Sequence, residues 1–285
     1  MLAICTAILV AAALYFARSI FAPFAFALFM VAIVWPLQSA LQRRFPQVVA
    51  LLITLFVTAF VLILFTSMVA WGFSVVAQWM IANAARFQAM YVHWTDWLEK
   101  HGIFIVGLVA ERFDVMWLVR FAQTIAGRIN NTVGFAILAF VFMMLALLEA
   151  GDMRQRLTSL KDREKGREFA EASAKIGAKF RKYMLVRTQL SALTGIAVWV
   201  FALLTGLELA AAWGIIAFAL NYIPFLGPFV ATILPALFAM AQFDSWQTIV
   251  IVLLGLFAIQ FTIGNYLEPM AVSYTHLTLP TNREV

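Results

Sequence analysis

The sequence predicts an all-α, polytopic integral membrane protein, and three observations carry that prediction. Of 285 residues, 64% are hydrophobic and only 12% charged, against about 25% charged in an average soluble domain. Seven charge-free stretches, at residues 1–17, 19–42, 45–85, 129–148, 188–207, 209–243 and 245–267, recur along the chain, most of them long enough for a helix of about 20 residues across a bilayer. One of these, residues 209–243, is broken in its middle by Asn221-Tyr222-Ile223-Pro224-Phe225-Leu226-Gly227-Pro228. A continuous helix of that length would reach roughly 50 Å, well beyond a hydrocarbon core of about 30 Å.

Taken in order, residues 1–17 are apolar with no basic lead and no small-residue cleavage site, so they read as a span rather than a cleaved signal. Pro23 and Pro36 predict a kink, or a tight hairpin around Arg18, in the first two apolar stretches. The stretch from Phe45 exceeds the length of a span, so its helix is expected to run on out of the lipid, with Trp71 and Trp79 at the boundary. Residues 209–243 are expected to form a re-entrant helical hairpin with its tip at residues 223–228, placing Glu208 and Asp244 on one side of the membrane. Two prolines and a glycine there remove amide donors and break the helical ladder, which lipid does not tolerate unless the freed groups face protein or a water-filled cavity. In all, six to seven membrane-embedded elements are expected.

Charge sets the sidedness. Residues 152–187 hold eleven Lys or Arg, so the positive-inside rule places residues 151–187 in the cytoplasm, together with Arg43 and Arg44. Residues 77–130 then lie outside, with five basic and four acidic residues and four tryptophans, Trp79, Trp94, Trp97 and Trp117, as an interfacial amphipathic segment. Within the basic segment Phe169, Ile176, Phe180 and Tyr183 fall on one helical face, which should rest on the membrane or the bundle. Arg187, at the start of a span, is expected to snorkel to the cytoplasmic interface.

Several chemistries find no support. The net charge of +6 is concentrated between spans, where orientation in the membrane explains it without nucleic acid. The single cysteine, Cys5, allows no intramolecular disulfide. There is no Gly-x-x-x-x-Gly-Lys-Ser/Thr loop for nucleotide hydrolysis, and no nucleophile triad, so the chain does not read as an enzyme. His93, Asp96, Glu99 and His101 match no standard zinc spacing and read as a solvated helix face. Neither a cofactor nor a metal is expected.

Polar groups inside apolar segments are functional candidates. Broken helices at membrane depth are where transporters bind their cargo, so Asn221, Tyr222, Pro224, Gly227 and Pro228 are candidate pathway residues. On the last helix Gln260, Gly264 and Glu268 are spaced by four, with Asn265 beside them. There Glu268, supported by Gln260 and Asn265, either binds a cation or relays a proton, or simply caps its helix. Glu208 reads as a loop marker.

Arg181-Lys182-Tyr183, Gly195, Leu204-Thr205-Gly206-Leu207-Glu208-Leu209-Ala210, the Asn221 to Pro228 string, Gln260 and Asn265-Tyr266-Leu267-Glu268-Pro269 closely resemble the autoinducer-2 exporter family of PerM-type permeases. That resemblance implies a multi-pass bacterial inner-membrane transporter, with members linked to export of the furanone autoinducer-2 and others to sodium/proton exchange. On this reading residues 1–272 form one transporter domain. Residues 273–285, polar and unlike the family, are expected to be a non-native tail on a truncated chain. The expected function is secondary transport of a small polar molecule; the rivals are a sodium/proton antiporter and a non-transporting membrane scaffold. The expected partners are the bilayer, a small-molecule or ion substrate and a homo-oligomeric copy.

Overall fold

The computed structural model describes residues 5–6, 9, 12–13, 15–89, 100, 134–149, 163–243 and 245–273. All the regular structure among them is helical, and its main elements are α1 (Arg18–Gln42), α2 (Gln47–Ala82), α3 (Gly134–Glu149), α4 (Arg163–Thr205), α5 (Ala210–Leu220), α6 (Leu226–Gln242), α7 (Trp246–Thr262), a π-helical turn (Ile263–Leu267) and α8 (Glu268–Ser273). Four stretches, Arg18–Gln42, Gln47–Ala82, Gly166–Thr205 and Trp246–Ala271, are long and apolar enough to cross a membrane, and α3, α5 and α6 are shorter apolar helices. The polytopic all-α class is thus the observed one.

The chain divides into two compact units, Met1–Leu64 with Gly127–Met184, and Phe65–Ala126 with Leu185–Val285. In the first, α1 carries Pro23 and Pro36 within a continuous helix. Phe21 N–H bonds to Ala17 O and Ala17 N–H to Ala13 O, so the chain passes Arg18 without reversing, and the hairpin expected there does not form. A proline frees the carbonyl four residues earlier. For Pro36 that is Ala32 O, and Arg181 of α4 donates Nη1 to it at 3.1 Å. Ala27, Leu51, Met143 and Leu147 form the buried centre of this unit. Phe180 stacks with Phe29 at 4.9 Å, while Ile176 and Tyr183 stay exposed. Only part of the predicted apolar face of α4 is therefore covered.

α2 is one helix of 36 residues, as its charge-free length suggested. By contrast, α4 is unbroken over 43 residues. It joins the basic segment to the following apolar stretch, and Arg187 marks no helix boundary.

In the second unit Trp213, Phe238, Val198, Ala202, Ile216, Val252 and Leu256 are buried together. α4 and α5 cross closely at Gly195 and Gly214, where a Cβ on either would sit 2.8 Å from the other's carbonyl oxygen; small residues at such crossings let backbones approach. α4 ends in a Schellman motif: Gly206, at φ +70°, gives its N–H to Leu203 O, and Leu207 gives its N–H to Ala202 O. α5 and α6 then pack against each other as a hairpin, and α6 against α7. The hairpin's base is closed by Gln242, whose Oε1 accepts from Glu208 N–H at 2.9 Å and whose Nε2 donates to Gly206 O at 2.8 Å. The two arms, 11 and 17 residues long, thus begin and end at the same base, which is the hairpin geometry expected for residues 209–243. Asp244, the expected exit marker, lies outside the described residues, as do most of residues 77–130, including Trp94, Trp97, Trp117, His93, Asp96, Glu99 and His101, and the tail beyond Ser273.

Candidate functional site

The hairpin tip is the most irregular backbone described. After α5, Tyr222 N–H reaches Ala219 O and Ile223 N–H reaches Leu220 O, tightening the last turn. Leu226 N–H then bonds to Pro224 O at 2.7 Å around Phe225, which sits at φ 61°, ψ −53°. This is a γ-turn of the rarer, strained hand, a conformation that persists only where its surroundings impose it. Gly227 is buried against the end of α5, and a Cβ there would lie 1.9 Å from Leu220 O. Pro224 is exposed and Phe225 is 93% exposed.

Asn221 and Tyr222 tie this tip to α4. Asn221 Nδ2 donates to Ser191 Oγ at 3.1 Å, and Tyr222 Oη donates to Thr188 Oγ1 at 2.9 Å. The Tyr222 ring meets Phe65 and Phe218 edge-on. The Asn221 carbonyl, orphaned at the end of α5, accepts from Arg187 Nη2. Arg187 also donates Nη1 to Glu268 Oε1 at 2.5 Å. One guanidinium therefore joins α4, the end of α5 and the start of α8.

Arg187 is 5% exposed, contrary to the expected snorkelling. The sequence reading missed it together with Thr188 and Ser191. The available signal was a polar stripe, Arg187, Ser191 and Thr194 at spacings of four and three, entering an apolar helix. A lone Arg and a lone Glu in apolar segments of one bundle invite pairing.

The reading of the last helix needs correction. Glu268 N–H bonds to Ile263 O, five residues back, across the π turn. One extra residue rotates the downstream residues by about 100° relative to an α-helical register. The face expected to carry Gln260, Gly264 and Glu268 is therefore interrupted. Asn265 is exposed and spends its Nδ2 on Phe261 O at 3.1 Å. Gln260 is 7% exposed and its Nε2 has no partner. Of the predicted residues, Asn221, Tyr222 and Glu268 converge on α4, Pro224, Gly227 and Pro228 shape the tip, and Gln260 and Asn265 support no observed contact to Glu268.

An open groove of about 360 Å³ lies elsewhere in this unit, lined by Met68, Gly195, Trp199, Gly214 and Phe218 among other apolar residues. This lining offers little to orient a polar cargo. At the hairpin's base Trp79 Nε1 donates to Glu208 Oε2 at 2.5 Å, so Glu208 fastens the loop to α2, in keeping with its reading as a loop residue.

A family model described as AI-2E family transporter matches residues 4–280, a range that includes the hairpin tip and Glu268. The chain belongs to the AI-2E transporter family. It is 28% identical over 260 residues to the AI-2 transport protein TqsA of Escherichia coli (strain K12), covering 89% of this chain and 74% of that protein. It is 30% identical over 162 residues to YrrI of Bacillus subtilis (strain 168), 53% of this chain and 44% of the relative. A Haemophilus influenzae relative is 23% identical over 280 residues, 94% of this chain and 79% of its own length; both of these are named for transport without a substrate. This family member is therefore a membrane transport protein, and the Arg187, Asn221 and Glu268 cluster is its candidate site.

Proposed function

We propose that the chain is a secondary transporter of the bacterial inner membrane that exports a small polar molecule such as autoinducer-2 past the hairpin tip. The observation that carries this reading is the docking of strained, irregular backbone at residues 221–228 onto a buried guanidinium, where freed backbone groups and a charge converge. The 28% identical TqsA, named for AI-2 transport, supports the choice of cargo. A membrane scaffold has no use for such a site. A sodium/proton antiporter would need Glu268 as its cation ligand, yet that carboxylate is already neutralised by Arg187, which weakens its pull on a second cation.

Proteoliposomes holding this chain, with a proton gradient imposed, test the reading. Gradient-driven movement of autoinducer-2 without sodium flux is the expected result. Sodium exchange with no movement of autoinducer-2 would install the antiporter reading instead.

A further inference from the structure

The ion pair at the site is asymmetric. The Arg187 side chain is 6% exposed and that of Glu268 is 33% exposed. Arg187 is fixed within α4, with Nη2 committed to the Asn221 carbonyl. Glu268 stands directly after a π turn, a feature that allows a helix to shift register locally. If either partner moves, it is the carboxylate, which can turn to water while the guanidinium cannot. A buried guanidinium left alone is costly, so any state in which Glu268 departs must bring Arg187 another acceptor.

The surroundings show what that acceptor would be. Arg187 Nε is buried and has no partner, so its two present acceptors leave the guanidinium unsaturated. Nε–H and Nη1–H point to opposite sides of the guanidinium, so an incoming group takes Glu268's place on Nη1 alone, and only an anionic oxygen there keeps the buried charge compensated. Ser191 and Thr188 hydroxyls lie on the same helix within reach of the tip. The other carboxylate described in this unit, Glu208, is engaged at the hairpin's base by Trp79, so no second described carboxylate of this unit competes.

We propose that Arg187 is the substrate-docking group and Glu268 its resident competitor, so that the transported molecule presents an oxyanion and displaces the Glu268 carboxylate on binding. The proposal rests on the transport reading and narrows it: cargo and carboxylate take turns on one guanidinium. This exchange keeps the buried charge compensated throughout the cycle, and it couples cargo entry to release of α8 from the hairpin tip.

Binding of inorganic phosphate and of lactate to the detergent-solubilised chain, measured calorimetrically at one fixed pH, tests this, with neutral ribose as the control. E268Q, which keeps the shape but removes the competing charge, should bind the two anions about tenfold more tightly than the parent chain. The double variant R187Q/E268Q, in which no buried charge is left unpaired, should lose that gain entirely. E268D, which keeps the charge on a shorter arm, should fall between and serves if E268Q folds poorly. No gain in E268Q and E268D, retention of the gain in the double variant, or equal binding of ribose would each overturn the proposal. Autoinducer-2 flux is measured separately: a chain that moves it without Arg187-dependent anion affinity refutes only the exchange, whereas anion affinity without that flux supports the exchange and refutes only the cargo.

Discussion

Arg187 concentrates the energetics of the site because it is buried with a single carboxylate for compensation. Breaking a buried ion pair from one side costs about 3–5 kcal/mol when the remaining charge is trapped, whereas removing both charges is often nearly neutral. The two single variants should therefore differ. E268Q strands a buried guanidinium and should lose about 3 kcal/mol or more of stability. R187Q leaves a carboxylate that can turn to water, and should lose about 1–2 kcal/mol. R187Q/E268Q should melt close to the parent. Thermal melts of the four proteins in one detergent form the cycle, and a double variant less stable than both singles would show that the pair is not the coupled unit described. Sequence made Glu268 visible as a carboxylate in an apolar segment. It hid Arg187, because an arginine at the edge of a span ordinarily reaches for the interface, and only the fold reveals that two other helices close over it.

At the scale of elements, the hairpin was legible and the π turn was not. Prolines and a glycine inside a 35-residue apolar stretch leave few conformations other than a reversal, and residues 206–208 with Gln242 close it at the base. Ile263-Gly264-Asn265-Tyr266-Leu267 carries no comparable mark, since an extra residue in a helical turn needs no special side chain. Yet that insertion sets where Glu268 points. Deleting Gly264, which has nothing within 4 Å of its Cβ direction, should restore an α-helical register and rotate Glu268 by about 100° away from Arg187. Transport should fall at least tenfold while the protein still inserts and purifies as a single species; unimpaired flux would mean that the pair is dispensable. G227A probes the tip directly. Its new methyl would meet Leu220 O at 1.9 Å, so α5 and α6 must separate, at about 1–3 kcal/mol as for other overpacked contacts, read as a lowered melting temperature.

For the whole molecule, each charge-free stretch from residue 19 onward holds an apolar helix among the described residues, or two in the case of 209–243, but composition did not show that α4 would fuse a basic segment to a span. Periodicity separated residues 151–187 from 188–207 because composition changes there, and a helix can continue through such a change when its backbone bonds are all internal. The fusion has a consequence for topology. Eleven Lys or Arg between residues 152 and 187 lead directly into the apolar part of α4, so the basic end should lie in the cytoplasm and residues 77–130 outside. Cysteines placed at Lys165 and at Gln88, in a background with Cys5 replaced by Ala, give this a direct measurement on intact cells with an impermeant thiol reagent. Position 88 should label and position 165 should not until the membrane is permeabilised. The reverse pattern would invert the molecule. The hairpin, entering after α4 ends at Thr205, would then open toward the cytoplasm, and export past its tip would have to be rewritten as uptake.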